Sequence, residues 1–176
     1  MYYLYQAIGF AGTIILALSF QQRTRERIHF LMMFSSMFFA IHFFLIVAYT
    51  GCIMNIISIM RSFIFYNYRR KWARSRLWLV VFLIVSIVAG ILTWKNAWSC
   101  LPVIGMLLTT VGLWMKNPAR IRVITISGLP CWFTYNLVSG SIAGVVTETL
   151  NIISLATAIF RYDIIPGFKK KLTDGK

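Results

Sequence analysis

The sequence predicts an all-α membrane protein of seven transmembrane helices, two triplets joined by a linker helix in a 3+1+3 parallel repeat. Three observations carry this reading. Of 176 residues, 59% are hydrophobic and 12% charged, against about 45–50% and about 25% in soluble domains. Seven apolar runs follow one another, each near the ~20 residues that a helical span needs. The basic residues then fall on alternate turns of that topology. Barrel strands would alternate polar and apolar faces, whereas these runs are apolar on every face. Seven spans use nearly the whole chain, so no separate soluble domain is expected.

The runs cover 4–20, 28–49, 52–66, 77–93, 98–115, 121–138 and 142–160. The first follows an uncharged leader, unlike the basic start of a signal peptide, and leads into Arg23, Arg25 and Arg27. The second ends at a turn near Thr50. The third contains Arg61 and precedes Arg69, Arg70, Lys71, Arg74 and Arg76. The fourth is the linker and ends at Lys95. The fifth leads into Lys116, Arg120 and Arg122. The sixth ends near Gly140. The seventh contains Glu148 and precedes a basic tail, 161–176, with Arg161, Lys169, Lys170, Lys171 and Lys176. Sixteen of the 18 bases thus lie on one side, and Lys95 alone on the other. The positive-inside rule places the N-terminus outside and the C-terminus in the cytoplasm. The net charge of +14 therefore marks a membrane face near acidic lipid and gives no reason to invoke nucleic acid. Tyr49, Tyr66, Trp94 and Trp98 fit an interfacial belt.

A shift of 93 residues superimposes the halves without a gap. Gly12 falls on Gly105, Arg27-Ile28 on Arg120-Ile121, Phe39 on Trp132 and Gly51 on Gly144. The single domain then divides into a first triplet at 4–66, a linker helix at 77–93 and a second triplet at 98–160. The linker lets the second triplet keep the orientation of the first. Triplets so related share an axis along the membrane normal, the plan of the SWEET sugar facilitators, which suggests a solute site between the repeats near the midplane.

Polar side chains inside spans are costly and are functional candidates by default. Asn55 lies four residues below Gly51 and Glu148 four below Gly144, each about 6 Å into its span. His42 and Tyr135 coincide in the repeat at a similar level, Asn136 follows Tyr135, and Asn151 lies about one turn deeper than Glu148. These six form the candidate substrate-binding layer, since they can exchange hydrogen bonds with a hydroxylated or amide-bearing solute. Each also has a structural reading: Asn55 as helix–helix glue, His42 as a satisfied core histidine, Glu148 as a partner of Arg61 or His42. Glu148 is the lone acid in any span, suited to carrying a proton. Arg61, about 15 Å below Gly51, either snorkels to the cytoplasmic headgroups or turns inward to an ion pair. Gly128 and Pro130 are candidates for a hinge or a static bend, and Gly9, Gly12, Gly105 and Gly112 for close helix packing. Cys52 and Cys100 both fall near the outer face, where a disulfide is conceivable.

The chain resembles the YgjV family of bacterial inner-membrane proteins. The resemblance rests on Leu18-Ser19-Phe20-Gln21-Gln22, Ala40-Ile41-His42-Phe43-Phe44-Leu45, Tyr49-Thr50-Gly51, Asn55 with Arg61, Leu101-Pro102-Val103-Ile104-Gly105, and Gly140-Ser141-Ile142-Ala143-Gly144 with Glu148. It covers nearly the whole chain and implies fold and location more than activity. More remotely the sequence is similar to the PQ-loop and SWEET group. It departs from that group where Gln21-Gln22 replaces Pro-Gln, in having no proline in the first two spans, and in setting Pro130 opposite Met37.

The expected function is SWEET-like transport of a small polar solute by alternating access between two triple-helix bundles. The alternative is a non-transport membrane protein, a sensor or assembly partner. An intramembrane enzyme using His42 and Glu148 ranks last, because no nucleophile, paired carboxylates, phosphate loop or metal-ligand spacing accompanies them. No enzyme activity, cofactor or metal is expected. The expected partners are the bilayer, the solute and, in an oligomer, further copies of the chain.

Overall fold

The computed structural model describes residues 2–20, 25–115 and 118–165. Gln21-Gln22, Arg23, Lys116 and the lysines of the tail lie outside these residues. Among the described residues there are seven α-helices and no strand. They are α1 (Tyr2–Phe20), α2 (Arg25–Leu45), α3 (Tyr49–Tyr66), α4 (Leu77–Leu92), α5 (Cys100–Trp114), α6 (Pro118–Val138) and α7 (Ile142–Ile159). A 3₁₀ turn, Ala97–Ser99, leads into α5, and a π turn, Phe160–Ile164, follows α7. Helices of 15 to 21 residues are about 23–32 Å long, close to the ~30 Å hydrocarbon core of a bilayer.

Several boundaries differ from the apolar runs. α2 stops at Leu45 because Ile46, Val47 and Ala48 form a turn in which Val47 has φ 60. All three are apolar, so hydropathy cannot separate them from the helix. α2 and α6 begin at Arg25 and Pro118, so Arg27, Arg120 and Arg122 belong to the first turns of helices and not to loops.

Six helices close into a ring: α1 packs on α2, α2 on α3, α3 on α5, α5 on α6, α6 on α7 and α7 on α1. α4 stands outside the ring against α3 and α5. Its buried residues, Phe82, Ser86 and Gly90, recur every four positions and form one narrow stripe. The other side chains are apolar, and many of them, among them Val80, Ile84, Val88 and Ile91, are exposed. The same holds around the ring, where Ile14, Met37, Ile56, Phe63, Ile104, Val123 and Ile153 point outward. Apolar exposure on this scale fits a surface bathed in lipid. Trp94, Trp98, Tyr49 and Tyr66 are also exposed, as an interfacial belt requires.

The turns before α3 and α7 have the same structure at the spacing of 93. Val47 and Gly140 both have positive φ, 60° and 69°. The backbone bonds Ile46→His42, Val47→Phe44, Ala48→Phe43 and Cys52→Ala48 recur as Ser139→Tyr135, Gly140→Leu137, Ser141→Asn136 and Val145→Ser141. The α1–α2 and α5–α6 contacts correspond as well. A Cβ on Gly12 would come 3.1 Å from the Phe39 ring, and one on Gly105 would come 2.6 Å from that of Trp132. Ser35 Oγ donates to Gly12 O, and at the matching position a Cβ on Gly128 would lie 3.2 Å from Gly105 O. Helix packing therefore accounts for Gly128. α6 remains helical through Pro130, which is exposed.

Candidate functional site

The six ring helices line a central, partly open cavity of about 120 Å³. α4 contributes nothing to its wall. Much of the wall consists of residue pairs 93 positions apart: Leu16 with Thr109, Phe39 with Trp132, Phe43 with Asn136, Asn55 with Glu148, and Ser58 with Asn151. The geometry is paired, but the chemistry is not. The first half supplies Asn55, Ser58 and Arg61. The second supplies Asn136, Glu148 and Asn151.

Four of the six expected substrate-binding residues meet here. Asn55 lines the cavity and donates through Nδ2 to Gly51 O, one turn back on its own helix, at 2.9 Å. Asn136 is buried, and its Oδ1 has no hydrogen-bond partner. That oxygen lies against Gly144, where no Cβ would fit. Glu148 is half-buried, and its Oε2 accepts a 3.4 Å bond from Asn151 Nδ2.

His42 and Tyr135 do not line this cavity. Both were expected from their level in the spans, but the helix turns 100° per residue, and their neighbours Phe43 and Asn136 face the cavity in their place. His42 Nδ1 donates to Tyr5 O at 2.7 Å, and Nε2 accepts from Ser141 Oγ at 2.7 Å. Ser141 Oγ in turn accepts from Gly144 N at 3.0 Å, which caps α7. Tyr135 Oη accepts from Gly51 N at 3.0 Å, which caps α3. It lines a second cavity of about 260 Å³ beside the α2–α3 turn, together with Lys95, Asn96 and Thr50. These two side chains thus clasp each half to the turn of the other. Gln6 reinforces the clasp: Nε2 donates to Gly140 O and Oε1 accepts from Ala143 N. Lys95 Nζ makes the corresponding bond to Val47 O at 2.8 Å.

Arg61 neither snorkels nor forms an ion pair. It is 5% exposed and turns inward. Nη1 donates to Thr110 Oγ1 at 2.7 Å, with longer contacts to Thr109 Oγ1 and Met106 Sδ. Nη2 reaches Ser58 Oγ at 3.4 Å, and Nε has no partner. All these acceptors are neutral. Cys52, Cys100 and Cys131 are free thiols, so the conceivable Cys52–Cys100 disulfide is absent.

Hydroxyl residues of the wall, Ser35, Ser36, Ser62, Thr109, Thr125 and Thr147, were not singled out from the sequence. Ser and Thr in helices bond back to their own backbone, as Thr109 does to Gly105 O and Thr147 to Ala143 O. Their presence in an apolar run therefore signals little. The Ser35-Ser36 and Thr109-Thr110 doublets were the available sign.

A helical ring with an apolar exterior fits an integral membrane protein. Residues 3–164 match the Imp-YgjV family, described as bacterial inner membrane protein, and the chain belongs to that family. It is an integral protein of the bacterial inner membrane, in contact with the lipid bilayer. It is similar to the inner membrane protein YgjV of Escherichia coli (strain K12), with 25% identity over 147 residues covering 84% of this chain and 78% of that protein. No solved structure matches it.

Proposed function

We propose that the chain is a multi-pass, SWEET-like 3+1+3 transporter that moves a small polar solute by alternating access between its two triplets. The basic loops set the N-terminus outside and the C-terminus in the cytoplasm. One observation carries the reading: the cavity is bounded by equivalent positions of both halves, several of them polar, and by none of α4. A chamber between repeats is where rocking of one half against the other exposes a solute alternately to each side. The clasp supports the same reading. His42–Ser141, Tyr135–Gly51 and Gln6–Gly140 join the halves at the end assigned to the outside. Opening outward then means breaking a small set of hydrogen bonds, each contributing about 0.6 kcal/mol on average within membranes.

Reconstitution into liposomes with a solute panel is the deciding test. Uptake or counterflow of a small polar solute, reduced in Glu148→Gln and Asn55→Ala, is expected. Absence of both for every solute, with normal behaviour of those variants in cells, would refute the proposal.

A further inference from the structure

Two ionisable side chains of opposite type line the central cavity, and among the described residues neither has an ion-pair partner. The Arg61 guanidinium meets only hydroxyls and a thioether, and its Nε–H is buried without an acceptor. Glu148 has one long bond from an amide and, among the described residues, no base within ion-pair distance. Clamping α3 to α5 through Thr110 accounts for the position of Arg61. It does not account for an unpaired carboxylate in the same chamber. An acid and a base in one chamber that served only the fold would be expected to pair, because leaving them separate keeps their desolvation uncompensated.

We propose that the solute is a small zwitterion of the α-amino-acid kind, with its carboxylate received by Arg61 and its ammonium by Glu148. This deepens the reading of the cavity as a solute site and depends on it. Both side chains reach toward one level: Arg61 Nη2 lies 3.4 Å from Ser58 Oγ and Glu148 Oε2 lies 3.4 Å from Asn151 Nδ2, and Ser58 and Asn151 are equivalent positions of the two halves. A neutral sugar would leave both charges unpaired, and a site with unpaired buried groups discriminates strongly against the solute that leaves them so.

The test uses the full chain, purified in detergent, and reads binding by calorimetry without translocation. Alanine is the probe. N-Acetylalanine lacks the ammonium, alaninamide the carboxylate, and lactamide both. Alanine should bind about tenfold or more tightly than each of the other three. Glu148→Gln should abolish its advantage over N-acetylalanine, and Arg61→Lys, which keeps the charge but loses the fork, should weaken alanine while keeping its advantage over lactamide. Equal affinity for alanine and lactamide, or no saturable alanine binding by wild type, overturns the proposal. Liposome uptake of an uncharged solute without alanine binding refutes the zwitterion and leaves the carrier intact. Alanine binding without uptake refutes the carrier and keeps the charge-matched site.

Discussion

The two halves cap their third helices by different means, and the difference can be exchanged between them. In α7 the Gly144 amide donates to Ser141 Oγ, which His42 Nε2 holds. In α3 the equivalent Gly51 amide donates directly to Tyr135 Oη at 3.0 Å. The counterpart of Ser141 there is Ala48, which has no side-chain oxygen to cap with. A tyrosine thus reaches as far as a histidine plus a seryl hydroxyl. Tyr135→His leaves the buried Gly51 amide without its acceptor. Loss of a helix cap costs about 0.5–2 kcal/mol, and an orphaned buried donor about 1–3 kcal/mol, so a loss of about 1–2 kcal/mol is expected. Adding Ala48→Ser transplants the solution of the second half and should recover most of it. Ala48→Ser alone leaves the Tyr135 bond in place and should change little. Thermal unfolding of the four proteins in detergent reads the cycle, at about 2–4 °C per kcal/mol for a chain of this length. A coupling energy within about 0.3 kcal/mol of zero would refute the equivalence of the two turns and, with it, the account of why position 42 is His and position 135 is Tyr.

Gly105→Ala puts a methyl group 2.6 Å from the Trp132 ring. It should destabilise by about 1–3 kcal/mol as overpacking, and by less in a Trp132→Phe background, which copies Phe39; equal effects in both backgrounds would show that the ring is not the obstacle. Gly144→Ala should displace the Asn136 amide, which occupies that space. The expected result is lower thermal stability that Asn136→Ala partly restores, and a stable Gly144→Ala protein would contradict it. Arg69 Nε and Glu26 Oε1 form an exposed pair at 2.8 Å. Arg69→Ala should shift stability by under about 1 kcal/mol, and a larger loss would mean that the loop is held through this pair.

Residue level was legible in the sequence, and azimuth was not. A repeat of 93 residues and a rise of about 1.5 Å per residue set Asn55 beside Glu148 and Ser58 beside Asn151, and these pairs do share the cavity wall. The same arithmetic put His42 and Tyr135 at the right height but could not say which way they turned. His42 has only apolar neighbours on either side, so nothing next to it marks the inner face of α2. Phe43, an aromatic among aromatics, is the residue that faces the chamber. The end of α2 was hidden for a related reason: an apolar turn at 46–48 looks like helix to any hydropathy count, and positive φ at Val47 leaves no mark where glycine is not used. Its counterpart Gly140 shows that mark openly. A superposition of the halves that transferred backbone conformation as well as identity would have ended α2 at Leu45 and placed Ala48 opposite Ser141. Position 48 would then have stood out as a helix start without a capping oxygen, and Tyr135 would have been read as its cap before any cavity was known.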